Sequence, residues 1–253
     1  MRVAFAALRE MASGRSWPIA AFSAAAWVLV VGLDHSILTP NICSSSSTAD
    51  WIGGSAFAAL VSINASARQA LSWFVMLLAM MTPLIWQPLA HVWDRSLAER
   101  RVRAVLLFLG GYLGVWMIAM AILALISVAL RLAAGSAIVA FTITIGFAVF
   151  WQMTPVKARF LKRCHVLRPL PAFNLYADIA SFRYGMEIAC ACIVTCWAIM
   201  LLPLTSDAAH IPIMGTAELL MLSERYSKTR DFSLRSARRF MTILAITGRS
   251  VHT

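Results

Sequence analysis

Long apolar runs alternate with arginine-rich connections along this chain, and that alternation leaves it few ways to fold. Runs at residues 17–33, 69–90, 104–130, 136–151 and 184–203 approach or exceed the roughly 20 apolar residues that cross a bilayer as a helix. A sixth, at 205–226, starts polar and is weaker. With 60% hydrophobic residues, 13% charged and a mean hydropathy of +0.77, a soluble chain of this size could not hide its apolar surface. The expected fold class is therefore all-α: a polytopic membrane helix bundle of about six transmembrane helices.

The basic residues test that layout. Arg95, Arg100, Arg101 and Arg103 fall between the second and third runs. Lys157, Arg159, Lys162, Arg163, Arg168 and Arg183 fall between the fourth and fifth, and seven more follow Glu224. The connections in between hold only Arg68 and Arg131. Positively charged loops stay cytoplasmic, so both termini are expected there, in a bacterial inner (plasma) membrane crossed several times. The net charge of +11 then points to anionic lipid headgroups rather than nucleic acid, for which no binding module is present.

The first run follows Arg2, Arg9 and Arg15 as a signal peptide would, but no convincing cleavage site comes after it, so it reads as an anchor. Residues 1–68 are then an anchor and external loop, 69–228 the membrane domain, and 229–253 a basic tail. The tail reads equally as an amphipathic helix on the inner leaflet or as a solvated extension.

Three of the five cysteines lie in "ACACIVTCWAIM", residues 189–200. Cys192, Cys196 and Met200, spaced i, i+4 and i+8, form one helical stripe, and Cys190 points away from it. In "SWFVMLLAMMTP", residues 72–83, Met76 and Met80 share a face, Met81 lies one step round, and Pro83 interrupts the helix. Two readings stand. These are ordinary core residues at helix interfaces, or they are the sulfur ligands of a soft ion, which favour Cu(I) over oxygen-seeking Mg, Ca or Mn.

Two carboxylates lie within the runs. Glu218, mid-way along the sixth, reads as a coupling or ligand group or as a structural hydrogen bond. Glu187 is expected to snorkel or to pair with Arg183. His35 and Cys43 lie in the external loop, and Cys164 and His165 in a cytoplasmic linker without nearby ligands in sequence. No nucleophile elbow, zincin, Walker or dinucleotide motif is present, so no enzyme is expected.

Taken in order, "WFVMLLAMMTP", "GYLGVW", "QMTPVKARFLKRC", "CIVTCWAIM" and "ELLMLSER" resemble a bacterial family of predicted metal-binding integral membrane proteins, domain of unknown function 2182. The likeness covers about residues 69–228. It implies a metal-binding membrane protein, and some members are labelled copper chaperones. Carried over by position, Trp73, Met76, Met80, Met81 and Pro83 match one family pattern. Cys192, Cys196 and Trp197 match the cysteine-rich stretch, and Glu224 the acidic residue closing the last span. Thr195 stands where the family has a second adjacent cysteine, and Ile188 where it commonly has a histidine. The expected function is to bind a soft metal, Cu(I), for delivery to or assembly of a membrane metalloenzyme. A proton-coupled transporter using Glu218 and a non-catalytic assembly subunit are the alternatives.

Overall fold

The computed structural model describes residues 17–34, 63–171, 174–206 and 210–226. The loop carrying His35 and Cys43 and the basic tail lie outside the described residues. Eight α-helices run in order within them: α1 (Trp17–Asp34), α2 (Ile63–Met81), α3 (Trp86–Arg95), α4 (Arg101–Ala134), α5 (Ala137–Gln152), α6 (Pro155–Arg163), α7 (Asn174–Thr205) and α8 (His210–Arg225). Single 3-10 turns at Thr82–Leu84 and Ala98–Arg100 flank α3, and no strand occurs among the described residues. The protein is an all-α bundle.

Two helices, those containing α4 and α7, are long and apolar enough on their own to cross a membrane, or up to four if each of two bent pairs is one span. The first bent pair corrects the expected run at 69–90, which is not one straight helix. It turns by 75° between residues 84 and 86, and α3 is a separate amphipathic helix. Pro83 is the cause: it has no N–H, and its ring opposes the carbonyl four residues back, that of Ala79. Ser23 of α1 donates its hydroxyl to that same Ala79 carbonyl at 3.0 Å, so the acceptor exposed by the proline is satisfied from a neighbouring helix. The Thr82 hydroxyl similarly turns back on the Leu78 carbonyl.

The second bend, 68°, separates α5 from α6. Here Thr154 is an extended N-cap whose hydroxyl accepts from the Lys157 N–H, and Pro155 occupies the first turn, where its missing N–H does no harm. The connection of α4 to α5 is tighter. Gly135 takes the left-handed conformation (φ 63°) and donates its N–H to the Arg131 carbonyl, so the chain reverses within two residues.

α7 is the hub. It starts at Asn174, well before the residue 184 expected for the fifth span, and packs on α4, α5, α6 and α8. The α4–α7 interface is the largest among the described residues. Gly111 and Gly185 make it close: a methyl on Gly111 would stand 2.3 Å from the Phe182 carbonyl oxygen, and one on Gly185 would stand 2.1 Å from that of Phe108. The two helices thus present the same Phe-x-x-Gly element to each other, each glycine under the other helix's backbone. Small residues let helix backbones approach this closely.

Polar ties hold the ends. Asp178 takes Arg100 at 2.7 Å and Arg103 at 2.6 Å, joining the start of α4 to that of α7. At the other end, Arg131 donates to the Thr205 carbonyl and so places a cation at the C-terminus of α7. The outward faces of α4 and α5 are apolar, with Ile118, Leu125, Leu132, Ile138 and Phe150 all exposed. Such contiguous apolar surface is rare on soluble monomers.

Candidate metal centre

The i, i+4 spacing on α7 brings the Cys192 and Cys196 sulfurs to 3.8 Å from each other, both buried. Around one ion with metal–thiolate bonds of about 2.3 Å, that separation corresponds to an S–metal–S angle of about 110°. Tyr112 of α4, fully buried, donates its phenol to the Cys192 sulfur at 3.4 Å. Thr195 donates to the Cys192 carbonyl at 2.8 Å and also touches the Cys196 sulfur at 3.4 Å. Having spent its proton on the carbonyl, that hydroxyl is an acceptor toward Cys196. Position 195 thus faces the pair, although it carries an alcohol and not a third thiol.

Met76, Met80, Met81 and Met200 are all essentially inaccessible and belong to the same continuous apolar core as the two cysteines. The methionine helix does not run along the cysteine helix, however. α2 packs chiefly on α1 and also meets α4, whereas α7 packs chiefly on α4. Among the described residues, no group of three or more His, Cys, Asp or Glu side chains is placed to hold a metal ion. Among the described residues a donor beyond the thiol pair would be of another type, and the buried thioethers are the soft candidates. Ile188 is buried in the same core.

The other cysteines separate clearly. Cys190 is exposed at an open cleft of about 750 Å³ whose lining includes Arg163, Arg168, Arg183 and Glu187. Glu187 pairs there with Arg168 at 2.8 Å, not with Arg183 as its helical position suggested, because the linker after α6 folds back across α7. Cys164 is buried, and its backbone carbonyl accepts from Arg225 at 3.0 Å. His165 follows it, and its pKa is lowered by burial and by the nearby Arg225 charge, which keeps the ring neutral at pH 7.

Where the end of α5, α6 and the end of α8 meet lies a buried polar cluster that the charge pattern hid. Lys157 is 2% exposed, although it falls in a stretch that reads as a solvated basic linker. It donates to Gln152 and to Glu224, the latter at 2.6 Å. Arg225 is also buried, 3% exposed. Within this cluster Glu224 Oε1, Gln152 Nε2 and Arg225 Nε have no hydrogen-bond partner among the described residues. The signal in the sequence was the pair "QMTPVKARFLKRC" and "ELLMLSER": each places a polar residue beside an apolar run, and neither alone reveals that the two meet.

Glu218 is not part of this cluster. It accepts from Trp27 Nε1 at 2.7 Å and so ties α8 to α1, which is the structural hydrogen bond among the roles open to it. Trp197, next to Cys196, stacks edge-on against Trp151, whose Nε1 donates to the Val194 carbonyl.

Comparison with curated proteins finds no match, and comparison with solved structures finds none. A family model does match. Residues 70–248, most of the chain and including both bends, the thiol pair and the buried cluster, fit the PpoB2 model, described as a copper chaperone. The chain belongs to this copper chaperone family.

Proposed function

We propose that the protein carries Cu(I) on Cys192 and Cys196 and passes it to a membrane metalloenzyme. The observation that carries this reading is a pair of buried thiols 3.8 Å apart in a chain of a copper chaperone family. Two thiolates suit a soft ion, with the thioether of Met200, one turn beyond Cys196 on the same helix, better placed as the additional donor than those of Met76, Met80 and Met81 on α2. Transfer is ligand exchange between sulfurs and needs no turnover chemistry. Loading displaces the thiol protons, which reconciles apolar burial with thiolate ligation.

In this reading the bundle spans the bacterial inner membrane with its basic connections on the cytoplasmic side. The ordered motifs that resemble domain of unknown function 2182 support the same assignment. The Trp27–Glu218 bond favours a structural role for that carboxylate over ion coupling.

The test is metal content after purification under reducing conditions. The parent is expected to hold about one copper per chain, as a single thiolate pair dictates. The Cys192→Ser/Cys196→Ser variant should keep its helical circular dichroism and lose that copper. Equal, negligible copper in both proteins after Cu(I) reconstitution would sink the proposal. Glu218→Gln should leave copper content unchanged.

A further inference from the structure

The open cleft of about 750 Å³ beside α7 has no part in the copper reading. α7 forms one wall, and the end of α6 with the linker after it forms the other. That linker is tied down, because the His91 ring of α3 donates to the Arg168 carbonyl at 2.8 Å. The charge of the lining is one-sided: Arg163, Arg168 and Arg183 against Glu187. Glu187 takes Arg168 at 2.8 Å, and among the described residues neither Arg163 nor Arg183 has a carboxylate within ion-pair distance. The Arg163 guanidinium lies 5.0 Å from the centre of the Phe160 ring, a contact that holds it at the cleft without spending its N–H donors.

The apolar part of the lining is ordered with respect to these charges. Arg183, Met186 and Cys190 follow one another at three- and four-residue steps, so they run along one face of α7 for about 10 Å. With the basic connections on the cytoplasmic side, Arg183 stands at headgroup level and Cys190 deeper in the inner leaflet. Phe160, Val166 and Ala191 extend the apolar lining. A cationic mouth leading into an apolar groove is complementary to an anionic amphiphile. A small soluble anion would leave the groove uncovered, and a neutral chain would leave the arginines unanswered.

We propose that this cleft binds one anionic phospholipid of the inner leaflet, its phosphate between Arg163 and Arg183 and its chains along Met186 and Cys190. Guanidinium groups match a phosphate with paired N–H donors. The cleft has the size of a small-molecule site, so it takes the headgroup and the upper part of the chains, and its open side leaves the rest to the bilayer. Basic pockets beside membrane helices on the cytoplasmic side hold headgroups in this way. The claim is narrower than attraction of a basic surface to an anionic membrane: one lipid at one place. It rests on the membrane orientation proposed above and not on the copper site.

The experiment is native mass spectrometry of the full chain in detergent micelles, titrated with phosphatidylglycerol and separately with phosphatidylcholine. The parent should retain one phosphatidylglycerol per chain and release phosphatidylcholine. Arg163→Gln/Arg183→Gln is expected to weaken phosphatidylglycerol binding about tenfold or more. Arg159→Gln/Lys162→Gln removes the same charge from the same connection at two exposed positions outside the cleft, and should weaken it less than about threefold. Equal loss in the two double variants overturns the site in favour of general surface attraction. The parent alone also tests it, should a variant not fold: phosphatidylcholine held as firmly as phosphatidylglycerol overturns the role of charge. Displacement of the lipid by inorganic phosphate at matched concentration overturns the choice of a lipid over a soluble anion. A chain that does not float with vesicles overturns the membrane orientation itself, whereas loss of the lipid site alone leaves that orientation and the copper site standing.

Discussion

Gly185→Ala is expected to destabilise the bundle by about 3 kcal/mol, the upper part of the range for overpacking a close interface. The added methyl would sit 2.1 Å from the Phe108 carbonyl oxygen, and backbone cannot rotate away as a side chain can. α4 and α7 must separate, which loosens the largest interface among the described residues and shifts Tyr112 from Cys192. Gly111→Ala should behave alike, since its methyl would meet the Phe182 carbonyl. Because either methyl pries the same two helices apart, the double variant should cost clearly less than the sum of the singles. Gly110→Ala is the internal control. It has open space around it, and gaining helix propensity it should be neutral or stabilising by up to about 1 kcal/mol. Unfolding in mixed micelles measures all four, and a Gly185→Ala protein as stable as Gly110→Ala would show that the helices do not approach as described.

The second large effect is expected from Lys157→Met. Removing one partner of a buried ion pair leaves the other charge unmatched, at a cost of about 3–5 kcal/mol. Glu224, 5% exposed, would lose its closest cation, and Gln152 would lose its donor. Replacing both members, as Lys157→Met/Glu224→Leu, should recover most of the loss, since well-packed apolar residues often substitute for a buried pair at little cost. The pair joins α6 to α8, so the single variant should also expose the linker after α6 to proteolysis. If the single and double variants melt together near the parent, the pair is solvated and contributes nothing.

How far such features could be read in advance depends on whether they are local. The i, i+4 meeting of Cys192 and Cys196 needs only helical periodicity, and the break at Pro83 only the chemistry of one residue. Tyr112 is different: it is 80 positions from Cys192, and a tyrosine in an apolar helix reads as packing until the α4–α7 interface is known. Lys157 and Glu224 are 67 positions apart. Counting basic residues assigns Lys157 to the solvated side because it falls in the basic connection between the fourth and fifth runs, whereas the chain bends by 68° just before it and buries it. Height along a helix could be estimated from residue counts, which put Met80 and Cys196 at similar depth. Direction around the bundle could not, and it separates α2 from α7 by placing α4 against both.

The exposure of Cys190 has a practical consequence. Among the described cysteines it alone is accessible, while Cys164, Cys192 and Cys196 are enclosed. The native chain therefore carries a ready-made attachment point for a thiol-directed fluorophore or spin label, on the same helix as the buried pair and two residues from it. Arginines line the cleft around it, which should draw anionic reagents toward that sulfur first. A reporter placed there would follow events at Cys192 in real time without altering a single residue.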